Sequence, residues 1–137
     1  MIVVLFGQPG SGKTTLAKEF KDFINIDGDK LRNIFSNKDY SKEGRIKNLN
    51  RASDIAVFMN KEGFNVVLSL IYPYKETRDY LNRLNSDIKW IYLIYDDIRG
   101  REEFHVKDFE EPKKCLYLNT SSYSIDECME TIKSYIG

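Results

Sequence analysis

Short runs of consecutive apolar residues alternate along the chain with segments whose apolar positions recur at helical spacing. The apolar runs are rich in valine and isoleucine and predict buried strands at residues 2–6, 23–26, 64–71, 88–95 and 115–118. Helical spacing predicts helices at residues 14–23, 30–35, 41–62 and 75–84. Ser124 and Glu127 have the spacing of a capping box, which predicts a last helix running to about residue 136.

This order of strands and helices predicts an α/β fold with three layers, in which a parallel sheet of about five strands carries helices on both faces. A chain of 137 residues has room for one compact domain, so we expect residues 1–137 to form a single domain. Ligands of such sheets bind outside the carboxyl ends of the strands. Functional residues are therefore expected just after residues 6, 26, 71 and 95.

Charge and apolar content exclude several classes of partner. The chain has 21 basic and 21 acidic residues, whereas proteins that bind a nucleic-acid backbone usually have a basic excess. The first apolar run is too short to cross a bilayer and lacks the features of a signal peptide, so we expect no membrane partner and a cytoplasmic location. Cys115 and Cys128 are predicted to be reduced packing residues. A single histidine and no cysteine cluster indicate no zinc site.

A glycine-rich segment after the first predicted strand carries the strongest chemical signal. Residues 7–14 match the pattern G-x-x-x-x-G-K-[ST], in which backbone N–H groups surround a polyphosphate. Lys13 would reach the terminal phosphates, and the Thr14 hydroxyl would bind Mg²⁺. A chance glycine-rich turn would not explain why every motif position is matched between a strand and a helix. We therefore predict a P-loop NTPase fold that uses ATP and Mg²⁺, with ATP bound by Gly7, Gln8, Pro9, Gly10, Ser11, Gly12, Lys13, Thr14 and Thr15.

Polar residues after the second strand and on the long helix are candidates for the other half of the site. Asp27-Gly28-Asp29 places two carboxylates beside the phosphate loop, and Arg32 follows one helical turn later. A carboxylate can deprotonate an acceptor hydroxyl, although the same string also suits a plain turn with Asp29 capping a helix. Arg45 and Asn48 share one helix face, which suits an anionic acceptor or, equally, a solvated surface.

Several strings resemble the adenylylsulfate kinases, which use MgATP to phosphorylate the 3′-hydroxyl of adenosine 5′-phosphosulfate, giving PAPS and ADP in sulfate assimilation. The family patterns DGDxxR, FSxxDRxxNxxR and SxISPY resemble, in order, residues 27–32, residues 40–51 and the string SLIYPY at residues 69–74. The resemblance covers residues 1 to about 84 and returns at residues 109–112 and 118–120.

The resemblance implies a role for individual residues of this chain. Lys13, Asp29 and Arg32 would be catalytic, with Asp29 as the base or the ligand of the acceptor hydroxyl. The acceptor, a small nucleotide-like molecule, would be bound by Asp29, Arg32, Tyr40, Arg45, Asn48, Ile71 and Phe104. Tyr40 and Phe104 would stack on the acceptor's base. The family also implies a homodimer as one possible assembly.

Two departures from the family leave the acceptor open. Tyr72 stands where the family has a serine, so we expect no phosphoserine intermediate. The predicted lid, residues 96–112, is shorter and more acidic than the family's, with Arg99, Arg101 and Lys107 as replacement cations or solvated charges. Adenosine 5′-phosphosulfate is the expected acceptor, and a cytidine diphosphate derivative or a sugar acid are alternatives. Neutral charge disfavours a polynucleotide kinase, while the short lid also permits a protein that binds ATP without turnover.

Overall fold

A computed structural model describes residues 1–96 and 105–137 of the chain. Strands and helices alternate along the sequence. Their bounds are β1 (Ile2–Phe6), α1 (Lys13–Ala17), β2 (Phe23–Asp27), α2 (Gly28–Phe35), α3 (Lys42–Lys61), β3 (Asn65–Ser69), α4 (Lys75–Leu84), β4 (Ile88–Ile94), β5 (Leu116–Asn119) and α5 (Ile125–Ile136).

The five strands form one parallel sheet in the order β2-β3-β1-β4-β5. Strand β1 is central, with Ile2 opposite both Val66 of β3 and Ile88 of β4, and all five of its residues are fully buried. Burial on both faces explains why its sequence is a continuous apolar run rather than an alternating one. The predicted α/β fold with a parallel five-stranded sheet is confirmed.

Successive side chains of β1 enter two different hydrophobic clusters. Ile2, Val4 and Phe6 pack in a cluster with residues of α2, α3 and α4. Val3 and Leu5 pack on the opposite face in a cluster with residues of α1 and α5. The helices therefore cover both faces of the sheet, as the order of elements predicted.

Most predicted elements differ from the observed ones by only a few residues, but the first helix is much shorter than predicted. α1 ends at Ala17, and the chain turns so that β2 begins at Phe23. Phe20 is buried on the α1 and α5 side of the sheet and packs edge to face against Phe23, with 5.1 Å between ring centroids. The apolar spacing of this segment thus arises partly from a packed turn and not from a longer helix.

The two cysteines are packing residues, in agreement with the prediction. Cys128 is buried in the second cluster, Cys115 packs against the first, and both carry free thiols. Within the two described ranges, no helix has the length and apolar content needed to span a bilayer.

Gly44, in the first turn of α3, lets the preceding loop approach the helix backbone closely, which the sequence pattern does not indicate. A Cβ placed on Gly44 would lie 2.2 Å from the carbonyl oxygen of Asp39 and 2.5 Å from its Cγ. The loop that leads from α2 to α3 therefore lies directly against the helix backbone at this point.

We predict that Gly44→Ala destabilises the fold, although this change in a helix interior normally stabilises it. The added methyl would displace the backbone of Asp39, at a cost of about 1–3 kcal/mol. Thermal or urea unfolding measures this, with Lys47→Ala on the exposed face of α3 as the matched change, expected to shift stability by less than about 0.5 kcal/mol. A Gly44→Ala protein as stable as the original would contradict the close approach.

Candidate active site

The phosphate-binding loop, residues 7–14, lies at the carboxyl end of the central strand. Gly7, Gly10 and Gly12 have φ values of 144°, 87° and 96°. These angles suit glycine, which turns the loop back on itself and starts α1 at Lys13. The Lys13 ammonium donates to the carbonyl oxygens of Gly7 and Gln8, at 2.9 Å each. It is thus held inside the loop by two of the loop's own carbonyl oxygens.

Asp27 links this loop to the start of α2. Its Oδ2 accepts from the Lys30 N–H at 3.2 Å and so caps α2, which makes Asp27, not Asp29, the capping residue. Its Oδ1 lies 3.4 Å from the Thr14 hydroxyl and 3.4 Å from the Ser69 hydroxyl. A hydroxyl beside a carboxylate offers the oxygen ligands that Mg²⁺ prefers. The sequence pattern placed Asp27 near the loop but assigned it no ligand role.

A cavity of about 330 Å³ lies between the phosphate-binding loop and the segments that follow β2 and β3. On one side it is lined by loop and helix residues: Pro9, Gly10, Gly12, Lys13, Thr14 and Thr15. On the other it is lined by five of the predicted acceptor residues: Asp29, Arg32, Arg45, Asn48 and Ile71. The structure thus brings the two predicted halves together around one space.

A second cavity of about 220 Å³ lies on the other side of the loop. Gln8 and Ser11 line it, together with Tyr92, Asp96 and His105. The predicted ATP-binding residues therefore border two adjoining spaces, one of which faces the acceptor residues.

Arg32 is oriented by the loop between α2 and α3. Its Nη1 donates to the carbonyl oxygens of Asn37 and Asp39, at 3.2 and 3.0 Å, and its guanidinium lies 4.2 Å from the centre of the Tyr40 ring. Hydrogen bonds from Ser41, with a smaller contribution from Arg32, lower the pKa of the Asp39 carboxyl. Tyr40 is 61% exposed and does not line the first cavity, so its predicted stacking role stays a prediction.

Asn48 is buried, so the alternative of a solvated helix face is wrong for this residue. It is 4% exposed, and its Nδ2 donates to the Gly28 carbonyl at 3.4 Å. Its Oδ1 has no hydrogen-bond partner among the described residues. A buried amide oxygen that lines a cavity suits a ligand with a hydroxyl or amine donor.

Tyr72, the residue at the family's serine position, does not face the cavity. It is fully buried with a left-handed φ of 44°, and its hydroxyl shares a 2.9 Å hydrogen bond with the Ser53 hydroxyl. Burial raises the pKa of the Tyr72 phenol. The aromatic ring packs edge to face on Trp90, so this position contributes to the core.

Of the predicted lid, residues 96 and 105–112 are described. Phe104, Arg99 and Arg101 lie outside the described residues, and Lys107 is exposed. The role of Phe104 in binding the acceptor therefore stays a prediction.

The sequence profile of the family described as adenylylsulphate kinase matches residues 1–127. The chain belongs to this family.

Named relatives differ in the acceptor that their names specify. A protein of Campylobacter jejuni named cytidine diphosphoramidate kinase is 35% identical over 133 residues, covering 91% of this chain and 74% of that protein. An adenylyl-sulfate kinase of Clostridium kluyveri is 29% identical, covering all of this chain and 83% of that protein. The solved APS kinase CysC of Mycobacterium tuberculosis, in complex with AMPPNP and APS, has a TM-score of 0.84 at 22% identity and shares the fold over 98% of this chain and 96% of that one.

The contact between Tyr72 and Ser53 predicts a strong energetic coupling. Ser53→Ala or Tyr72→Phe alone would leave one buried hydroxyl without a partner, at a cost of about 1–3 kcal/mol. The double variant removes both hydroxyls and should be less destabilised than the sum of the two changes. Urea unfolding of all four proteins gives the coupling, and strict additivity would contradict the buried pair.

Proposed function

We propose that this protein is an ATP-dependent kinase that transfers the terminal phosphoryl group of ATP to a hydroxyl of a small nucleotide-like acceptor. The supporting observation is the first cavity, which Lys13 and Thr14 line on one side and Asp29 on the other. Phosphoryl transfer depends mainly on positioning and on charge stabilisation. Membership of the adenylylsulphate kinase family supports the same reaction class.

The residues that line the cavity suit distinct parts of this reaction. Asp29 is the proposed base that takes the proton of the acceptor hydroxyl. Lys13 would bind the transferred phosphoryl, and Arg32 and Arg45 would bind anionic groups. Thr14 and Asp27 would hold Mg²⁺, which would neutralise charge on the phosphates of ATP.

The two candidate acceptors are adenosine 5′-phosphosulfate and cytidine diphosphoramidate. The motifs at residues 27–32, 40–51 and 69–74 favour adenosine 5′-phosphosulfate. The relative from Campylobacter jejuni favours cytidine diphosphoramidate as the second candidate. Both contain a ribose and a charged phosphate, so the same aspartate and arginines could bind either one.

We predict ADP release that depends on a nucleotide acceptor. A coupled ADP assay with MgATP should show turnover with adenosine 5′-phosphosulfate, cytidine diphosphoramidate or both, and none with a sugar acid such as gluconate. The preferred acceptor is the one with the higher kcat/KM. ATP binding without ADP release from any acceptor would instead indicate a protein that binds nucleotide without turnover.

We predict that Asp29→Asn lowers kcat by about 10²–10⁴-fold, because the amide cannot accept the hydroxyl proton. The Kd for ATP, measured by calorimetry, should change little. Lys13→Ala should instead weaken ATP binding, since it removes the cation inside the phosphate-binding loop. Asp22→Asn, at an exposed position before β2, is the matched control and should match the original protein. Full activity in Asp29→Asn would refute the proposed base.

A further inference from the structure

The strap, residues 105–112, has neither helix nor strand, yet several contacts fix it to the rest of the chain. Near its beginning, Val106 is 2% exposed, and its main chain pairs with the side chain of Gln8. Gln8 Nε2 donates to the Val106 carbonyl at 2.8 Å, and the Val106 N–H donates to Gln8 Oε1 at 2.9 Å. The second residue of the phosphate-binding loop therefore holds the main chain of a residue 98 positions away.

The other end of the strap is attached to the start of α4. The Glu110 N–H donates to the Pro73 carbonyl at 2.7 Å, and Arg78 donates to the Glu110 carbonyl at 2.7 Å. The Glu110 carboxylate accepts from the Lys75 N–H at 2.6 Å. Tyr74, the residue before α4, makes no side-chain hydrogen bond to the start of this helix. The Glu110 carboxylate therefore acts as the cap.

The strap is linked to a cation of the acceptor side through the hydroxyl of Tyr74. Asp108 Oδ1 accepts from the Tyr74 hydroxyl at 3.3 Å, and the Tyr74 oxygen accepts from Arg45 Nη1 at 3.4 Å. Tyr74 is 1% exposed, so this hydroxyl has little freedom to find other partners. Asp108, between the two attachments of the strap, is thus connected to the Arg45 guanidinium through one buried hydroxyl.

Gln8 is chemically suited to fix the strap in one register. A primary amide carries N–H donors and an acceptor oxygen side by side, so it can pair with the N–H and the carbonyl of a single residue at once. An apolar side chain of the same length supplies neither. The main-chain N–H of residue 8, which belongs to the phosphate-binding loop, does not depend on this side chain.

We propose that Gln8 is a positioning residue that acts through the strap on Arg45, and so couples the phosphate-binding loop to the acceptor site. The proposal rests on the kinase function proposed above. If Gln8 acts in this way, a change in its side chain should alter binding of the acceptor more than binding of ATP.

The test compares Gln8→Met, Asp108→Ala and the double variant. Each single change should raise the KM for the acceptor by about 5-fold or more while the KM for ATP stays within about 2-fold. Since both residues act through one strap, the double variant should be impaired less than the product of the two single effects. Asn85→Ala is the matched control, because it removes an amide contact with Asn60 at the opposite end of α3 and should alter neither KM.

Two measurements without substrate keep this test separate from the proposed function. Gln8→Met should speed hydrogen exchange at the Val106 N–H and shift the side-chain NMR signal of Arg45, even if no acceptor supports turnover. An unchanged Arg45 signal would overturn the coupling. A Gln8→Met enzyme with a raised KM for ATP and an unaltered KM for the acceptor would also overturn it. So would a double variant whose change in acceptor KM equals the product of the two single changes.

Discussion

The N–H of Gly7 donates to the carbonyl of Ile71, just beyond the last residue of β3, at 3.2 Å. On its other side, Gly7 lies against Leu93 near the end of β4. A Cβ at this position would lie 2.4 Å from the Leu93 carbonyl oxygen, so any side chain would force the strands apart. The chain therefore leaves the central strand between its two neighbours and turns at once into the phosphate-binding loop. Both cavities depend on this path of the chain. The segment after β3 lines the first cavity, and the end of β4 with the residues after it lines the second.

Charge in the first cavity is arranged for anionic ligands. Arg32 donates to the carbonyl oxygens of Asn37 and Asp39, and Arg45 donates to the Tyr74 hydroxyl, so these hydrogen bonds are to neutral groups. Neutral partners orient a cation without cancelling its charge, which remains available to a phosphate. The carboxylates of Asp27 and Asp29 sit at the start of α2, where the helix dipole favours negative charge.

Local sequence signals predicted most of the helices and strands to within a few residues. The bounds of α4 agree with its apolar spacing, and the capping box of Ser124 and Glu127 forms as expected. Both signals depend on residues three or four positions apart, which a pattern can capture. Asn48 shows the limit, because its spacing fits a buried face and a solvated face equally, and only the packing of α3 on the sheet decides between them.

Long-range pairings were beyond the reach of the sequence pattern. Nothing near Gln8 indicates that its amide binds Val106, and the acidic segment that includes Glu110 gives no sign that this residue caps α4. Such contacts depend on how separate segments meet after the sheet has formed. The sequence alone therefore predicted a short, acidic lid and did not indicate that residues 105–112 form a strap with fixed attachments.

The chemistry of the first cavity bears on how selective an acceptor site of this kind can be. Asp29, Asn48 and the two arginines suit a ribose with an anionic 5′-phosphate, which adenosine 5′-phosphosulfate and a cytidine diphosphate derivative have in common. The two acceptors differ in the base and in the group joined to the first phosphate, and for a base the same cavity provides apolar side chains such as Leu49, Leu70 and Ile71. Contact with aliphatic side chains accepts any base, because the specificity of a binding pocket comes from its few polar groups. Under the proposed kinase function, these side chains would therefore select strongly for a charged nucleotide and weakly for its base.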